Sequence, residues 1–117
     1  MGQLDSFEYK VLGQLSPANT TAASIYSPSK IALINEIVIC NTTAGAVTFR
    51  LFIDNDGTTY DQTTALFYDK SVPANDSYIW SPAGGNGIML NNAAANIAVR
   101  TGTNDALTFT VFGRERV

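Results

Sequence analysis

The sequence of 117 residues contains no histidine and a single cysteine, Cys40. The absence of histidine removes the commonest general base, the commonest zinc ligand and every Ser–His or Cys–His nucleophile pair. One cysteine cannot form an intrachain disulfide, and Cys40 ends an apolar run at which a small buried side chain is expected. These absences disfavour most enzyme classes, and we predict no catalytic residues.

Charge is also scarce, since only 15% of residues are Asp, Glu, Lys or Arg and the formal net charge is -3. A nucleic-acid-binding protein needs a basic excess, which is missing here. The longest apolar stretch, residues 31–40, is interrupted by Asn35 and Glu36 and is too short to cross a bilayer. The first residues lack the basic and apolar segments of a signal peptide. We therefore predict no nucleic-acid partner, no membrane partner and no cofactor.

What the sequence does contain is alternation of apolar and polar residues with a period of two. Val47, Phe49, Leu51 and Ile53 alternate with polar residues, and residues 97–101 and 107–111 show the same pattern. This period, together with β-branched and aromatic residues, predicts half-buried strands. Weaker strand patterns lie at residues 9–14, 23–27, 31–41, 66–72, 77–81 and 87–91.

Turn-forming residues separate these segments at short, regular intervals. Pro, Gly, Asn and Asp cluster near residues 16–19, 41–45, 55–57, 72–76, 82–86 and 103–105. Eight or nine short strands in one small domain predict an all-β fold of two antiparallel sheets, a jelly roll or a closely related sandwich. We expect one domain over residues 1–117, with residues 1–8 as a candidate N-terminal arm.

Three groups of residues invite a functional interpretation. The acidic segment 54–61 superficially resembles a calcium loop, but its Gly57 lies too close to Asp54 for an EF-hand, so we predict a hairpin turn and no metal site. The Asp and Glu residues lie mostly in predicted turns and show no facing pair of the kind glycosidases use. Four aromatic residues could form a carbohydrate platform or pack in the core, and we favour the core; they are Phe67, Tyr68, Tyr78 and Trp80.

Apolar residues on the outward parity of several strands predict a surface that something covers. Phe52 and Phe112 end otherwise polar outward rows, and residues 31–41 are apolar on both parities. A sandwich normally leaves the outer face of each sheet wet, so such residues indicate a contact. The cover could be the N-terminal arm or a neighbouring subunit, and we predict a subunit interface at Phe52, Phe112, Ile34 and Val38. Coverage of central strands within the chain is the alternative.

The order of several segments resembles a group of small virion proteins of tailed bacteriophages. The resemblance is carried, in chain order, by YKVLGQ at 9–14, SPANTT at 16–21, IVICNTT at 37–43, FYD at 67–69, VPANDS at 72–77 and LTFTVFGRE at 107–115. It implies a small β-sandwich that assembles on the phage particle and carries no catalytic residues.

The resemblance suggests several functions. The first is a capsid decoration or cement protein that binds the major capsid protein or other virion proteins, forms a trimer or another ring with itself, and is assembled in the host cytoplasm. A tail, baseplate or fibre module is the second. A carbohydrate-binding module, which would use Trp80, is a third function of a different class. The mild acidity suits the outer surface of a particle.

Overall fold

The computed structural model describes residues 6–117, and nine strands make up most of them. The strands are β1 (Phe7–Leu15), β2 (Ala23–Tyr26), β3 (Ala32–Asn41), β4 (Val47–Asp54), β5 (Ala65–Val72), β6 (Ser77–Trp80), β7 (Ile88–Leu90), β8 (Asn96–Thr101) and β9 (Leu107–Arg116). A short 3₁₀ turn, Pro82–Gly85, precedes β7. Every segment predicted to be a strand is one. Of the candidate arm, Phe7 and Glu8 belong to β1, and residues 1–5 lie outside the described part.

The strands form two antiparallel sheets that pack face to face. Sheet I has the order β1-β9-β3-β6, and β7 pairs with β3 beside β6. Sheet II has the order β2-β8-β4-β5. The predicted two-sheet antiparallel sandwich is therefore confirmed.

The pairing is nested, which makes the fold a jelly roll. β4 pairs with β5, β3 with β6 and β7, β2 with β8, and β1 with β9. The chain thus forms one long antiparallel ribbon whose successive strand pairs fall alternately in sheet II and sheet I. Rolling the ribbon brings β9 beside β3 and β8 beside β4, and these two pairings join the strand pairs of each sheet into one continuous sheet.

The core lies between the sheets and is built from the inward parity of the central strands. Leu107, Phe109 and Val111 of β9 face Phe49 and Leu51 of β4, and all five are buried. Across the described residues no helix is long and apolar enough to cross a membrane.

A β-bulge in β3 decides which of its residues face the core. Ile34 pairs with Gly113 and Glu36 pairs with Phe112, so one extra residue, Asn35, is inserted opposite β9. An inserted residue shifts every later side chain to the other parity. Consequently Ile34 and Ile37 both face the core, although they differ in parity. The prediction of Ile34 as an interface residue is wrong, because its side chain is fully buried between the sheets.

Candidate subunit interface

The outer face of sheet I carries apolar side chains on each of its strands. Five of its side chains, on four different strands, are between 37% and 71% exposed, and two more are half-buried beside them. We call this surface the apolar face; it comprises Tyr9, Val11, Leu33, Val38, Ile79, Met89 and Phe112. Isolated exposed apolar residues are ordinary, but a contiguous set on one sheet indicates a contact surface.

Strand register shows that these side chains are neighbours. Tyr9 pairs with Arg114, which pairs with Leu33, which in turn pairs with Met89. Directly paired residues of an antiparallel sheet project from the same face, with Cβ atoms about 5 Å apart. The three apolar residues and the arginine therefore form one row across sheet I.

Two further rows extend this surface along the strands. Val11 pairs with Phe112, which pairs with Glu36. In the next row Thr110 pairs with Val38, and Val38 pairs with Ile79. Together the three rows contain at least one apolar side chain from each strand of sheet I.

The outer face of sheet II is different, because its charges are paired with one another. Arg50 Nε donates to Asp69 Oδ1 over 2.8 Å, and the Arg50 guanidinium lies 3.7 Å from the centre of the Tyr68 ring. Arg100 lies 3.7 Å from the same Asp69 oxygen and donates from Nε to the Thr20 carbonyl over 2.8 Å. The Arg50 hydrogen bond lowers the pKa of Asp69. The arginines of this face have partners within the chain, and its exposed apolar side chains are Leu66 and Tyr68.

Phe52 lies on that outer face of sheet II, but it is not available to a partner. It pairs with Ala98, and both residues lie outside the central core cluster. The β4–β5 connection folds back over them, so that the Tyr60 ring lies 6.2 Å from the Phe52 ring and Phe52 is only 1% exposed. The outward parity was predicted correctly, but the prediction of Phe52 as an interface residue is wrong, because the chain itself covers it.

The other two predicted residues, Phe112 and Val38, do lie on the apolar face. Sequence reasoning missed their neighbours on β1, β6 and β7. The signal was present in β1, where Tyr9 and Val11 alternate with Glu8 and Lys10. It was weak elsewhere, because β6 and β7 are only four and three residues long.

Two charged residues of the apolar face, Glu36 and Arg114, have no opposite charge in an ion pair with them within residues 6–117. Glu36 receives only a long hydrogen bond, 3.4 Å, from the Ser81 hydroxyl. The Arg114 guanidinium lies 4.8 Å from the Tyr9 ring centre, and its buried Nε has no hydrogen-bond partner among the residues that the structure describes. A buried donor that stays unpaired costs free energy, so Arg114 favours an acceptor from beyond the described residues.

Arg114 also lines a shallow recess in this surface. The recess has a volume of about 140 Å³, and its other walls are Phe7, Leu33 and Met89. Its lining is mostly apolar, with the guanidinium as its charged group. Such a recess can accept an apolar side chain with a polar end.

The acidic segment after β4 forms a structural loop. The Asp54 carboxylate accepts the backbone N–H groups of Asp56, over 3.2 Å, and Thr59, over 2.8 Å. These hydrogen bonds, that from Thr59 foremost, lower the pKa of Asp54. They hold the loop that carries Tyr60 over Phe52.

Glu115 is likewise engaged within the fold. It accepts the Tyr26 hydroxyl and forms an ion pair with Lys10 at 3.1 Å. The Tyr26 hydrogen bond lowers the pKa of Glu115, while burial and the same carboxylate raise that of Tyr26. In residues 6–117 no group of three or more Cys, Asp or Glu could hold a metal ion.

The aromatic residues considered for carbohydrate binding pack mostly on one another. Phe67 contacts Tyr78 and Trp80 edge to face, with ring centres 5.5 and 5.6 Å apart, and all three border the core. Tyr68 is half-exposed, but Arg50 lies over its ring. These rings do not form a shared open platform.

Comparisons with known proteins complete the description. No family model matches the chain, and no curated protein sequence matches it. Among solved structures, the chain is similar to one in a structure of the Gx strain of infectious bursal disease virus, with a TM-score of 0.40 and 8% sequence identity. That match covers 98% of this chain and 42% of the viral one, so the chain spans less than half the length of its structural neighbour. The jelly-roll assignment is based on the strand pairing alone.

Proposed function

We propose that the chain is a non-enzymatic structural protein of a tailed-bacteriophage virion, most simply a decoration or cement protein of the head. The observation that carries the proposal is the difference between the two outer faces of the sandwich. Sheet II pairs its own charges, covers Phe52 and exposes Leu66 and Tyr68, whereas sheet I leaves seven apolar residues exposed or half-exposed in the described chain. A passive building block needs such a contact surface.

The fold and the chemistry of the carboxylates support the same proposal. Jelly rolls form viral capsid domains, although they also form lectins and cupins, so the fold by itself does not decide the function. Asp54, Asp69 and Glu115 each accept hydrogen bonds from groups of their own chain. Carboxylates held in this way stabilise loops and strand ends. The resemblance of the sequence to phage virion proteins points to the particle.

Labelling of intact particles tests the proposal. Gold-labelled antibodies against the purified protein would be applied to particles of the virus that encodes it, and the particles would be viewed by electron microscopy. Label on the head supports decoration, and label on the tail, baseplate or fibres supports the alternative location. Unlabelled particles, with all of the protein in the particle-free fraction, would overturn a virion role.

A binding experiment separates this role from carbohydrate recognition. Purified protein would be added back to particles stripped of it, with Phe112→Glu as the variant on the apolar face and Trp80→Ala as the variant in the aromatic cluster. Reduced uptake of the Phe112→Glu variant supports assembly through sheet I. Binding to a glycan array that is lost in the Trp80→Ala variant would instead favour a carbohydrate-binding module.

A further inference from the structure

We propose that the apolar face packs on the same face of a second copy of the chain about a two-fold axis, with Arg114 of each copy paired to Glu36 of the other. The inference rests on the proposed function, because it names the occupant of the assembly surface. It is carried by three observations: the extent of the face, the two uncompensated charges on it, and their relative positions.

The outer face of sheet I is slightly smaller than a standard specific interface. Four strand positions at about 4.8 Å and the nine residues of β1 at about 3.3 Å give roughly 19 by 30 Å, or about 570 Å² for each copy, and the apolar face occupies the central part of this area. Two copies would bury a little under about 1,200 Å², which is where specific but weak interfaces begin. A face of this size fits a weak dimer that a particle surface would reinforce.

The outer face of sheet I carries Arg114, Arg116 and Glu36, and Arg114 and Glu36 are the opposite charges that lie in the rows of the apolar face. Among the described residues neither Arg114 nor Glu36 forms an ion pair, whereas Arg50, Arg100 and Lys10 each do. Arg114 additionally has the unpaired Nε. A surface with one uncompensated cation and one uncompensated anion is complementary to itself, which favours a second copy over a partner of uniform charge.

The positions of the two charges fit a two-fold arrangement. Arg114 lies on β9 in the row of Leu33, and Glu36 lies on β3 in the row of Phe112. They are one strand and one row apart, which corresponds to a Cα separation of about 8 Å. A two-fold axis in the plane between the sheets, perpendicular to the line from Arg114 to Glu36 and crossing its midpoint, places each Arg114 opposite the other copy's Glu36. Sheets pack about 10 Å apart, a distance that these two long side chains can span.

This geometry favours a dimer over the trimer expected from the sequence. A face-to-face contact of two sheets uses the same surface on both copies and is closed after two. The dimer would present every remaining surface twice, so that attachment to a particle becomes bivalent. The recess beside Arg114 leaves room for a side chain of the second copy.

Charge reversal tests the pairing directly. Arg114→Glu and Glu36→Arg each place like charges opposite one another at both contacts, and each is expected to weaken dimerisation at least tenfold. A mixture of the two variants restores both opposite-charge contacts, and so does the double variant Arg114→Glu/Glu36→Arg. Sedimentation equilibrium from low micromolar to near millimolar concentration measures each dissociation constant, including that of the mixed dimer.

A matched control and three outcomes keep the test decisive. Lys30→Glu changes the net charge as Arg114→Glu does, but its site is an exposed residue outside the apolar face, so it should leave dimerisation unchanged. A parent chain that stays monomeric, or that forms a trimer, overturns the inference. Single variants that dimerise as the parent does, or a mixture that fails to recover, overturn the Arg114–Glu36 pairing. None of these results bears on labelling of particles, which tests the virion role separately.

Discussion

Truncation of Phe52 should destabilise the fold and leave self-association unchanged. Phe52 is 1% exposed, packed against Tyr60 and paired with Ala98. Deleting a buried phenylalanine ring costs about 3–5 kcal/mol, because transfer and cavity terms add. The loop that carries Tyr60 can relax into the space, so we expect about 3 kcal/mol for Phe52→Ala, which lowers Tm by about 12 °C in a domain of this size.

Phe112→Ala is the matched variant on the apolar face. Phe112 is 37% exposed and its loss leaves no enclosed cavity, so we expect about 1–2 kcal/mol from the lost partial burial. Unlike Phe52→Ala, it should weaken self-association. The two variants remove the same atoms and therefore differ only in environment.

Urea unfolding followed by the fluorescence of Trp80, the single tryptophan, gives the free energy of unfolding of each variant. Low protein concentration keeps self-association from contributing to the stability. A double-mutant cycle of Phe52→Ala with Tyr60→Ala should give an interaction free energy between the two rings of about 0.5–1.5 kcal/mol. If Phe52→Ala loses less than Phe112→Ala, or if the coupling is zero, the covered position of Phe52 is refuted.

Asp54→Asn should lower the urea concentration at which the domain unfolds, since an amide oxygen is a weaker acceptor for the N–H of Thr59 than the carboxylate. Because folding lowers the pKa of Asp54, the ionised carboxylate stabilises the fold above about pH 3.9, and this stabilisation is lost as the pH falls through the lower pKa of the folded state. The Asp54→Asn variant should therefore lose less stability on acidification than the parent chain. Identical dependences of stability on pH in the two proteins would contradict this. Gly113→Ala should destabilise by at least about 2 kcal/mol in thermal unfolding, because an added Cβ collides with the Leu33 carbonyl oxygen. Gly45→Ala, where a Cβ meets nothing within 4 Å, is its control, and equal melting temperatures would show that the β3–β9 approach is misplaced.

The strands were predictable from sequence because the period of two is a local property. Residues 47–53 and 107–111 alternate cleanly, and turn residues separate all nine strands. The sandwich followed, since half-buried strands in a short chain must pack in two layers. The outward parity of Phe52 and Phe112 was predicted for the same reason.

The composition of the apolar face was less predictable, because it depends on two non-local features. The bulge at Asn35 places Ile34 in the core and Val38 on the surface, and no residue type near position 35 requires a bulge there. The loop that covers Phe52 is anchored by Asp54 to backbone groups up to five residues away, which a strand pattern does not contain. The charges Arg114 and Glu36 become neighbours only through the β3–β9 register.

The nested ribbon also determines the order in which this molecule can be built. Its turn, between β4 and β5, closes a loop of ten residues and costs less chain entropy than the outermost pair, in which Phe7 pairs with Arg116 across almost the entire described chain. Each enclosing pair gains from the pair inside it, so folding should proceed outward from the central hairpin and be slow for a protein of this length. The outer surface of sheet I, which needs β1 and β9 in place, would then be the last part completed, and premature association through a half-built face would be avoided.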